Sequence, residues 1–236
     1  MAITRGPKIV RDGLVLYLDA GDRNSYPGSG TTWKDLSGNG NNGTLTNGPT
    51  FDSGNGGSLV FDGVDDYIST DYDLSWNDNS HVTINIIVKP STLVGNYPFL
   101  GKGPSLWEWQ FNQVGTSFQH VYWNTGGGHS NGPTTSISNF FENTNDFVFI
   151  SLVWNSSDNK YYLYKNGSLF YTINWVDASI NQNRSNGINL GGNIYRWSLA
   201  SNYWPGSIAL FSVYIRSLSD SEIQQNYNAT KGRFNL

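Results

Sequence analysis

The chain has 236 residues with 14 basic and 18 acidic side chains, which gives a net charge of -4 and a pI near 5.2. This length suits one large domain, and the acidic balance argues against a nucleic-acid partner, because a phosphate backbone requires clustered Lys and Arg. Without cysteine, disulfides and thiolate metal sites are excluded. No apolar run approaches membrane-spanning length and the first residues lack the apolar core of a signal peptide, so we expect neither membrane insertion nor ordinary secretion.

The first residues read as an arm ahead of the folded domain. We expect an N-terminal arm over residues 1–12 and one domain over residues 13–236. Arg5, Lys8 and Arg11 give the arm a positive charge. A frayed terminus is the simpler interpretation. The alternative is a docking segment that attaches the domain to a larger assembly, and in that case removing the arm should leave the fold intact.

Two segments in the first third of the chain combine strand and turn chemistry. Residues 31–45 read Thr-Thr-Trp-Lys-Asp-Leu-Ser-Gly-Asn-Gly-Asn-Asn-Gly-Thr-Leu. In this segment Gly38, Gly40 and Gly43 permit left-handed turns, and Asp and Asn side chains can close Asx turns. Residues 58–69 read Ser-Leu-Val-Phe-Asp-Gly-Val-Asp-Asp-Tyr-Ile-Ser. They predict a strand, a tight Asp-Gly turn and a returning strand.

The central third predicts three consecutive antiparallel strands. Residues 147–154 and 160–165 are β-branched and aromatic runs separated by the polar turn Asn-Ser-Ser-Asp-Asn. Asn166 and Gly167 follow, and both central positions of a type I′ turn need the positive φ that Asn and Gly tolerate best. A three-stranded meander cannot bury its apolar face alone, so a second sheet must cover it.

The last segment predicts a strand followed by the one substantial helix of the chain. Ser219 as N-cap and Glu222 three residues later form a capping box. Leu218 and Ile223 occupy the positions of a hydrophobic staple. Gly232 is the predicted C′ residue that stops the helix.

In this order, these segments resemble the signatures of LamG-like jelly rolls of the concanavalin A-like lectin/glucanase superfamily. The resemblance covers roughly residues 13–231, with one departure at Val88, where the family usually has Trp. It implies an all-β fold, a two-sheet antiparallel jelly-roll sandwich with one short C-terminal helix. This fold hosts glycosidases, lectins and structural domains alike, so function must be argued from the site.

The spacing of the glutamates argues against catalysis. Glucanases of this superfamily place two catalytic Glu at alternating positions of one strand. This chain has only Glu108, Glu142 and Glu222, which are too far apart to share a strand. We therefore predict that the protein is not an enzyme, with a glycoside hydrolase as the less favoured alternative.

Sugar binding is the most specific functional hypothesis that the side chains support. Aromatic rings stack on the apolar faces of sugars, while amide, carboxylate and imidazole groups satisfy hydroxyls. The candidates come from two neighbouring strands and one loop: Trp107, Glu108, Trp109, Gln110, His120, Trp123, Trp197 and Trp204, with Tyr203 beside the last. The alternative is that most of these rings fill the core, because one face of each strand must be buried and alternation does not say which.

Calcium is the one cofactor that the resemblance suggests. LamG-like domains often hold Ca²⁺ with Asp carboxylates and backbone carbonyls, and Asp62, Asp65 and Asp66 supply three oxygen ligands within five residues. The alternative is that these residues only form the turn.

One such domain behind a short arm resembles the stand-alone LamG-like proteins of tailed bacteriophages. That resemblance implies a non-catalytic structural or binding module at the virion surface, as a capsid decoration or a fibre-associated protein. Its partners would be a capsid or tail protein and host-surface glycans, with further copies of the chain in a homo-oligomer as an additional option. A free carbohydrate-binding lectin is the alternative function.

Overall fold

A computed structural model describes residues 8–54, 56–74, 81–102, 109–122, 135–174, 187–192 and 203–236. These residues form two antiparallel β-sheets and one C-terminal helix, which confirms the predicted fold class. Sheet I is made of β14 (Ser168–Asn174), β13 (Lys160–Lys165), β12 (Val148–Asn155), β7 (His81–Pro90), β16 (Pro205–Tyr214), β5 (Ser58–Asp62) and β4 (Thr50–Asp52), with β1 (Leu14–Asp19) also paired to β16. Sheet II is made of β11 (Thr135–Ile137), β10 (Ser117–Tyr122), β9 (Trp109–Val114), β8 (Asn96–Lys102), β15 (Ile188–Leu190), β6 (Tyr67–Thr70), β3 (Gly43–Thr46) and β2 (Thr32–Trp33).

The helix α1 (Asp220–Phe234) lies on the outer face of sheet I. The main core fills the space between the sheets, and its largest fully buried side chains include Trp33, Trp109 and Trp204. A second apolar cluster joins the outer face of sheet I to α1 and to the first described residues. Sheet I is therefore buried on both faces over much of its area, and its central strand β7 is buried almost throughout. Among the described residues, α1 is too short and too polar to count as a membrane-crossing helix.

The predicted meander is confirmed. Strands β12, β13 and β14 pair in order and antiparallel. Asn166 and Gly167 both have positive φ, 50° and 78°, as a type I′ turn requires. The Asn166 side chain also accepts the backbone N–H of Phe149 at 3.0 Å, which ties the turn to β12.

The helix begins as predicted and ends later than predicted. Ser219 accepts the N–H of Glu222, whose carboxylate returns to the N–H of Ser219, so the capping box is present. Gly232 does not stop the helix, which continues to Phe234 and ends on the left-handed residue Asn235. The reason is a tertiary contact, because the Phe234 ring is buried against Phe147 at a centroid distance of 5.1 Å. This contact requires another half-turn of helix beyond Gly232.

Asp35 organises the glycine-rich segment between β2 and β3. Its carboxylate accepts the N–H groups of Tyr17, Ser37 and Asn41 at 2.8, 2.8 and 3.0 Å, so the predicted Asx turn forms here. Gly38 and Gly40 have positive φ as predicted. The prediction is wrong for Gly43, which is an ordinary residue of β3, and a Cβ there would lie 3.0 Å from Ile68.

The described part of the N-terminal arm packs on the domain itself. Val10 is buried, its N–H is accepted by Asn226 of α1 at 2.8 Å, and its carbonyl accepts the hydroxyl of Tyr214 at 3.0 Å. Arg11 donates to the carbonyl of Leu36 at 3.1 Å. Removing residues 1–11 would remove these contacts of Val10 and Arg11 with the domain. The expectation that the fold tolerates loss of the whole arm therefore needs correction. Arg5 lies outside the described residues.

Candidate functional site

Four of the eight predicted sugar-binding residues are described, and all four are buried. Trp109 and Trp204 are 1% and 0% exposed, and Gln110 and His120 are 3% and 1% exposed. The other four, Trp107, Glu108, Trp123 and Trp197, lie outside the described residues. The alternative interpretation, that the rings fill the core, therefore describes Trp109 and Trp204.

Three of these buried side chains, Trp109, Trp204 and His120, pack against defined neighbours. The Trp109 ring packs on Phe111 at 5.2 Å, and the Trp204 indole donates to the side-chain carbonyl of Gln113 at 2.9 Å. His120 stands edge-on to the rings of Phe111 and Tyr161 at 4.7 and 5.2 Å. Burial holds the pKa of His120 well below its ordinary value, so its imidazole is neutral in the folded protein.

A groove on the outer face of sheet I is a better candidate for ligand binding. It has a volume of about 330 Å³, within the range of about 300–1,000 Å³ typical of ligand sites. We call it the tyrosine groove, and it is lined by Val153, Asn155, Tyr162, Tyr164, Leu169, Ser217, Leu218 and Asp220. Three separate parts of the chain build it: the β12–β14 meander, the turn after β16 and the first residue of α1.

Strand alternation on β13 explains the two aromatic walls of the tyrosine groove. Tyr161 and Leu163 point inward and belong to the main core. Tyr162 and Tyr164 therefore point outward, to the face that α1 only partly covers. Leu169 pairs with Tyr164 across the hairpin and is 51% exposed, so it forms the open rim.

Both groove tyrosines are held in place by carboxylates. Tyr164 donates to Asp220 at 2.6 Å, and Tyr162 donates to Asp158. Burial and the bond to Asp220 raise the pKa of Tyr164 well above its ordinary value. The hydrogen bond to Asp158 is the main cause of the raised pKa of Tyr162. Both rings are therefore neutral and fixed in orientation at physiological pH.

The groove has the chemistry that recognition of a neutral sugar requires. The half-buried ring of Tyr162 and the exposed side chain of Leu169 offer contact area for C–H groups. Asp220 and the Asn155 amide offer hydrogen-bonding groups for hydroxyls. The acidic rim, formed by Asp158 and Asp220, disfavours an anionic ligand. The sequence-based list of candidates missed this groove because its members are spread over more than 60 positions.

The predicted acidic turn does bring its three carboxylates together. One carboxylate oxygen from each of Asp62, Asp65 and Asp66 lies within 4.8 Å of the others, with Asp66 buried and the other two exposed. Asp62 accepts the N–H of Val64 at 2.8 Å, and Asp66 accepts the N–H of Asp62 at 3.0 Å, so the turn-forming role is present. Burial, opposed by that hydrogen bond and reinforced by the charges of Asp62 and Asp65, raises the pKa of Asp66. Each carboxylate keeps a further oxygen, so a hard cation such as Ca²⁺ fits the donor set.

The described glutamates are engaged with cations. Glu142 pairs with Lys165 at 2.6 Å, and Glu222 accepts two bonds from Arg216 at 2.5 and 2.9 Å. The bond to Arg216 is the main cause that lowers the pKa of Glu222 to about 2. A general acid for glycoside hydrolysis needs the opposite shift, so Glu222 is poorly suited to that role.

The structure is similar to solved binding domains of botulinum neurotoxins. The botulinum neurotoxin serotype D binding domain aligns with a TM-score of 0.68 at 15% identity, over 92% of this chain and 52% of that one. The botulinum neurotoxin type G receptor binding domain aligns with a TM-score of 0.67 at 17% identity, over 92% of this chain and 51% of that one. The chain thus spans about half the length of these domains, and at such identities the likeness concerns the fold alone.

Comparison of the sequence with protein families agrees with the fold. No curated protein sequence gives a significant match to the chain. The family model Laminin_G_3, described as the concanavalin A-like lectin/glucanases superfamily, matches residues 62–224, which is more than half of the chain. Together with the two-sheet sandwich, this match shows that the chain belongs to the concanavalin A-like lectin/glucanases superfamily.

Proposed function

We propose that this protein is a non-catalytic binding module that holds a neutral glycan in the tyrosine groove. The observation that carries the proposal is the pair of fixed, outward-facing rings of Tyr162 and Tyr164 beside the hydrogen-bonding groups of Asp220 and Asn155. The two similar toxin domains are described as a binding domain and a receptor binding domain, which supports a binding role on this fold.

Preorganisation is the physical argument for affinity at this site. A ring that is already hydrogen-bonded in place loses little rotational freedom when a ligand stacks on it, so more of the contact energy appears as binding. Tyr164 is mostly buried and so positions the site, whereas Tyr162 is half-buried and can be covered by a ligand. Tyr162 is therefore the residue to test.

Replacing Tyr162 with alanine should weaken glycan binding by about 5–30-fold, equivalent to ~1–2 kcal/mol for one lost stacking surface. The measurement starts with a broad array of neutral and acidic glycans on the wild-type protein. Calorimetric titration of the strongest neutral glycan into both proteins then gives the two affinities.

Tyr171→Ala is the matched control for this variant. Tyr171 lies on the same hairpin and is 46% exposed, but it does not line the groove. Its removal should leave glycan affinity within twofold of wild type. Equal losses in the two variants, or an array on which no neutral glycan binds, would count against the groove as the binding site.

We also propose that Asp62, Asp65 and Asp66 hold a calcium ion. The proposal is supported by the convergence of the three carboxylates at the β5–β6 turn, where the charge of each opposes the others unless a cation neutralises them. An ion there would stabilise the turn and the pairing of β5 and β6 with their sheets.

Calcium should raise the melting temperature of the wild-type protein, because a ligand that binds only the folded state stabilises it. Asp66→Asn keeps an oxygen for the N–H of Asp62 but removes the charge, and should abolish the calcium effect. Asp52→Asn is the matched control, since Asp52 closes a similar Asx turn without acidic neighbours in the cluster. A calcium shift that persists in Asp66→Asn, or no shift in the wild type, would refute the site.

Finally, we propose that the module is displayed on a bacteriophage virion, bound to a capsid or tail protein, with a free lectin as the alternative. The support is the resemblance of the sequence to stand-alone virion proteins of this fold. The docking segment is then best sought in residues 1–7, because residues 8–11 are already engaged with α1, β16 and the segment after β2.

Removing residues 1–7 should abolish attachment to the particle and leave the melting temperature within a few degrees of wild type. Removing residues 1–11 should also lower the melting temperature, because the contacts of Val10 are lost. Co-sedimentation with particles and thermal unfolding of both truncated proteins measure the two effects. Attachment that survives the shorter truncation would show that another surface docks.

A further inference from the structure

A second cleft lies between the loop after β1 and the loop after β4. It has a volume of about 210 Å³ and is lined by Ala20, Gly21, Arg23, Tyr26, Pro27, Phe51, Ser53, Gly56 and Gly57. This volume is below the range of about 300–1,000 Å³ for drug-sized ligands, so the cleft suits one ring-sized group. It lies beside the C-terminal turn of α1, where Arg233 contacts Gly56, whereas the tyrosine groove lies at the N-terminal end. A helix of 15 residues separates the two by roughly 20 Å.

The walls of this cleft, which we call the arginine cleft, are rigid. Tyr26 is 3% exposed, its ring packs on Phe51 at 5.6 Å, and its hydroxyl donates to the carbonyl of Gly30 at 2.9 Å. The floor is formed by Gly21, Gly56 and Gly57, which have no side chains. The backbones of Gly21 and Gly56 pack closely, because a Cβ on Gly21 would lie 1.8 Å from the carbonyl oxygen of Gly56. The Arg233 guanidinium donates a hydrogen bond to the same Gly56 carbonyl at 2.8 Å and holds it in place.

Arg23 is the cationic side chain that lines the arginine cleft. Arg23 is exposed, and among the described residues it has no ion pair. Arg233 forms an ion pair with Asp19, and both of its terminal nitrogens lie 2.7 Å from the carboxylate oxygens. The neighbouring Asp22 does not line the cleft and is held by Asn24. A guanidinium fork in this position can bind a carboxylate through two parallel hydrogen bonds.

We propose that the arginine cleft binds an acidic sugar residue, a pyranose that carries a carboxylate. The carboxylate would pair with Arg23, and the ring would pack against Phe51 over the glycine floor. The cleft thus differs in ligand class from the tyrosine groove, whose rim is acidic. The arginine cleft and the tyrosine groove share no lining residue, so an experiment can refute one proposed site without refuting the other.

The test is an NMR titration of the full chain with glucuronic acid, and with glucose as the matched neutral sugar. Judged by the amide signals of Gly21, Arg23 and Phe51 in the cleft, glucuronic acid should bind, and glucose should bind at least about tenfold more weakly. Arg23→Gln should weaken glucuronic acid binding there by about tenfold or more. Added salt should weaken binding of the acid but not of glucose. Arg23 is exposed, so the variant should melt at the wild-type temperature.

Two control variants separate this proposal from the tyrosine groove. Arg11→Gln removes another exposed arginine of the same chain, and Tyr162→Ala disables the groove; neither should alter glucuronic acid binding. The proposal is overturned if glucuronic acid does not bind, or if Arg23→Gln binds it as well as wild type does. Equally strong binding of free glutamate would also overturn it, because the sugar ring would then contribute nothing.

Discussion

Replacing Trp204 with alanine should lower the free energy of unfolding by about 3–5 kcal/mol, the cost of deleting a fully buried Trp ring. The indole is 0% exposed and packs near Phe61 and Phe99 at 6.4 and 5.9 Å. Its loss also leaves the side-chain carbonyl of Gln113 without the 2.9 Å indole bond. In a chain of this size the melting temperature should fall by roughly 6–20 °C.

Denaturant unfolding of three variants checks this expectation. Trp204→Phe keeps most of the ring and should fall between wild type and alanine. Phe170→Ala removes an aromatic that is 41% exposed on the edge strand β14, and should cost much less. A Trp204→Ala protein as stable as wild type would mean that this ring faces solvent, where it could still belong to a sugar site.

Replacing Asp19 with asparagine should cost about 3–5 kcal/mol, the range for breaking one partner of a buried ion pair. The carboxylate is 3% exposed and accepts four donors: two from Arg233 at 2.7 Å, the Tyr17 hydroxyl at 2.9 Å and the Gly21 N–H at 3.0 Å. An amide of the same shape turns an N–H₂ group toward some of these donors and leaves the guanidinium without its counter-charge. This one carboxylate joins β1, the C-terminal turn of α1 and the wall of the arginine cleft.

The exposed pair of Asp12 and Arg216 supplies the control for Asp19. Asp12 is 87% exposed and lies 3.0 Å from the guanidinium, so Asp12→Asn should cost only about 0–1 kcal/mol. Urea unfolding gives both values, and hydrogen exchange should show faster opening of the last turn of α1 in Asp19→Asn alone. Similar small losses in both variants would contradict the buried network.

Local chemistry in the sequence was sufficient for the hairpin and the start of the helix. Asn166-Gly167 and the capping box of Ser219 and Glu222 each involve groups within four residues, so their geometry follows from the residues themselves. The convergence of the three Asp carboxylates at the β5–β6 turn followed in the same way from their spacing. The end of the helix could not be predicted from local residues, because it depends on the packing of Phe234 against the distant side chain of Phe147.

Strand alternation alone could not locate the binding surface. On β9, Trp109 and Phe111 face the core, yet Gln110 and Asn112 on the opposite parity are also buried. On β13 the outward positions carry Tyr162 and Tyr164, and only Tyr162 remains partly accessible beside α1. Which face of a strand meets solvent is thus set by the element that packs over it, and that packing is a long-range property of the chain.

Residue-by-residue NMR mapping of a bound neutral glycan most directly tests the claim that this fold holds a sugar without cutting it. Backbone amide signals should shift around residues 153–155, 162–169 and 217–220, and the glycan's own signals should stay unchanged through prolonged incubation. Shifts confined to other surfaces, or signals of new reducing ends, would contradict the account.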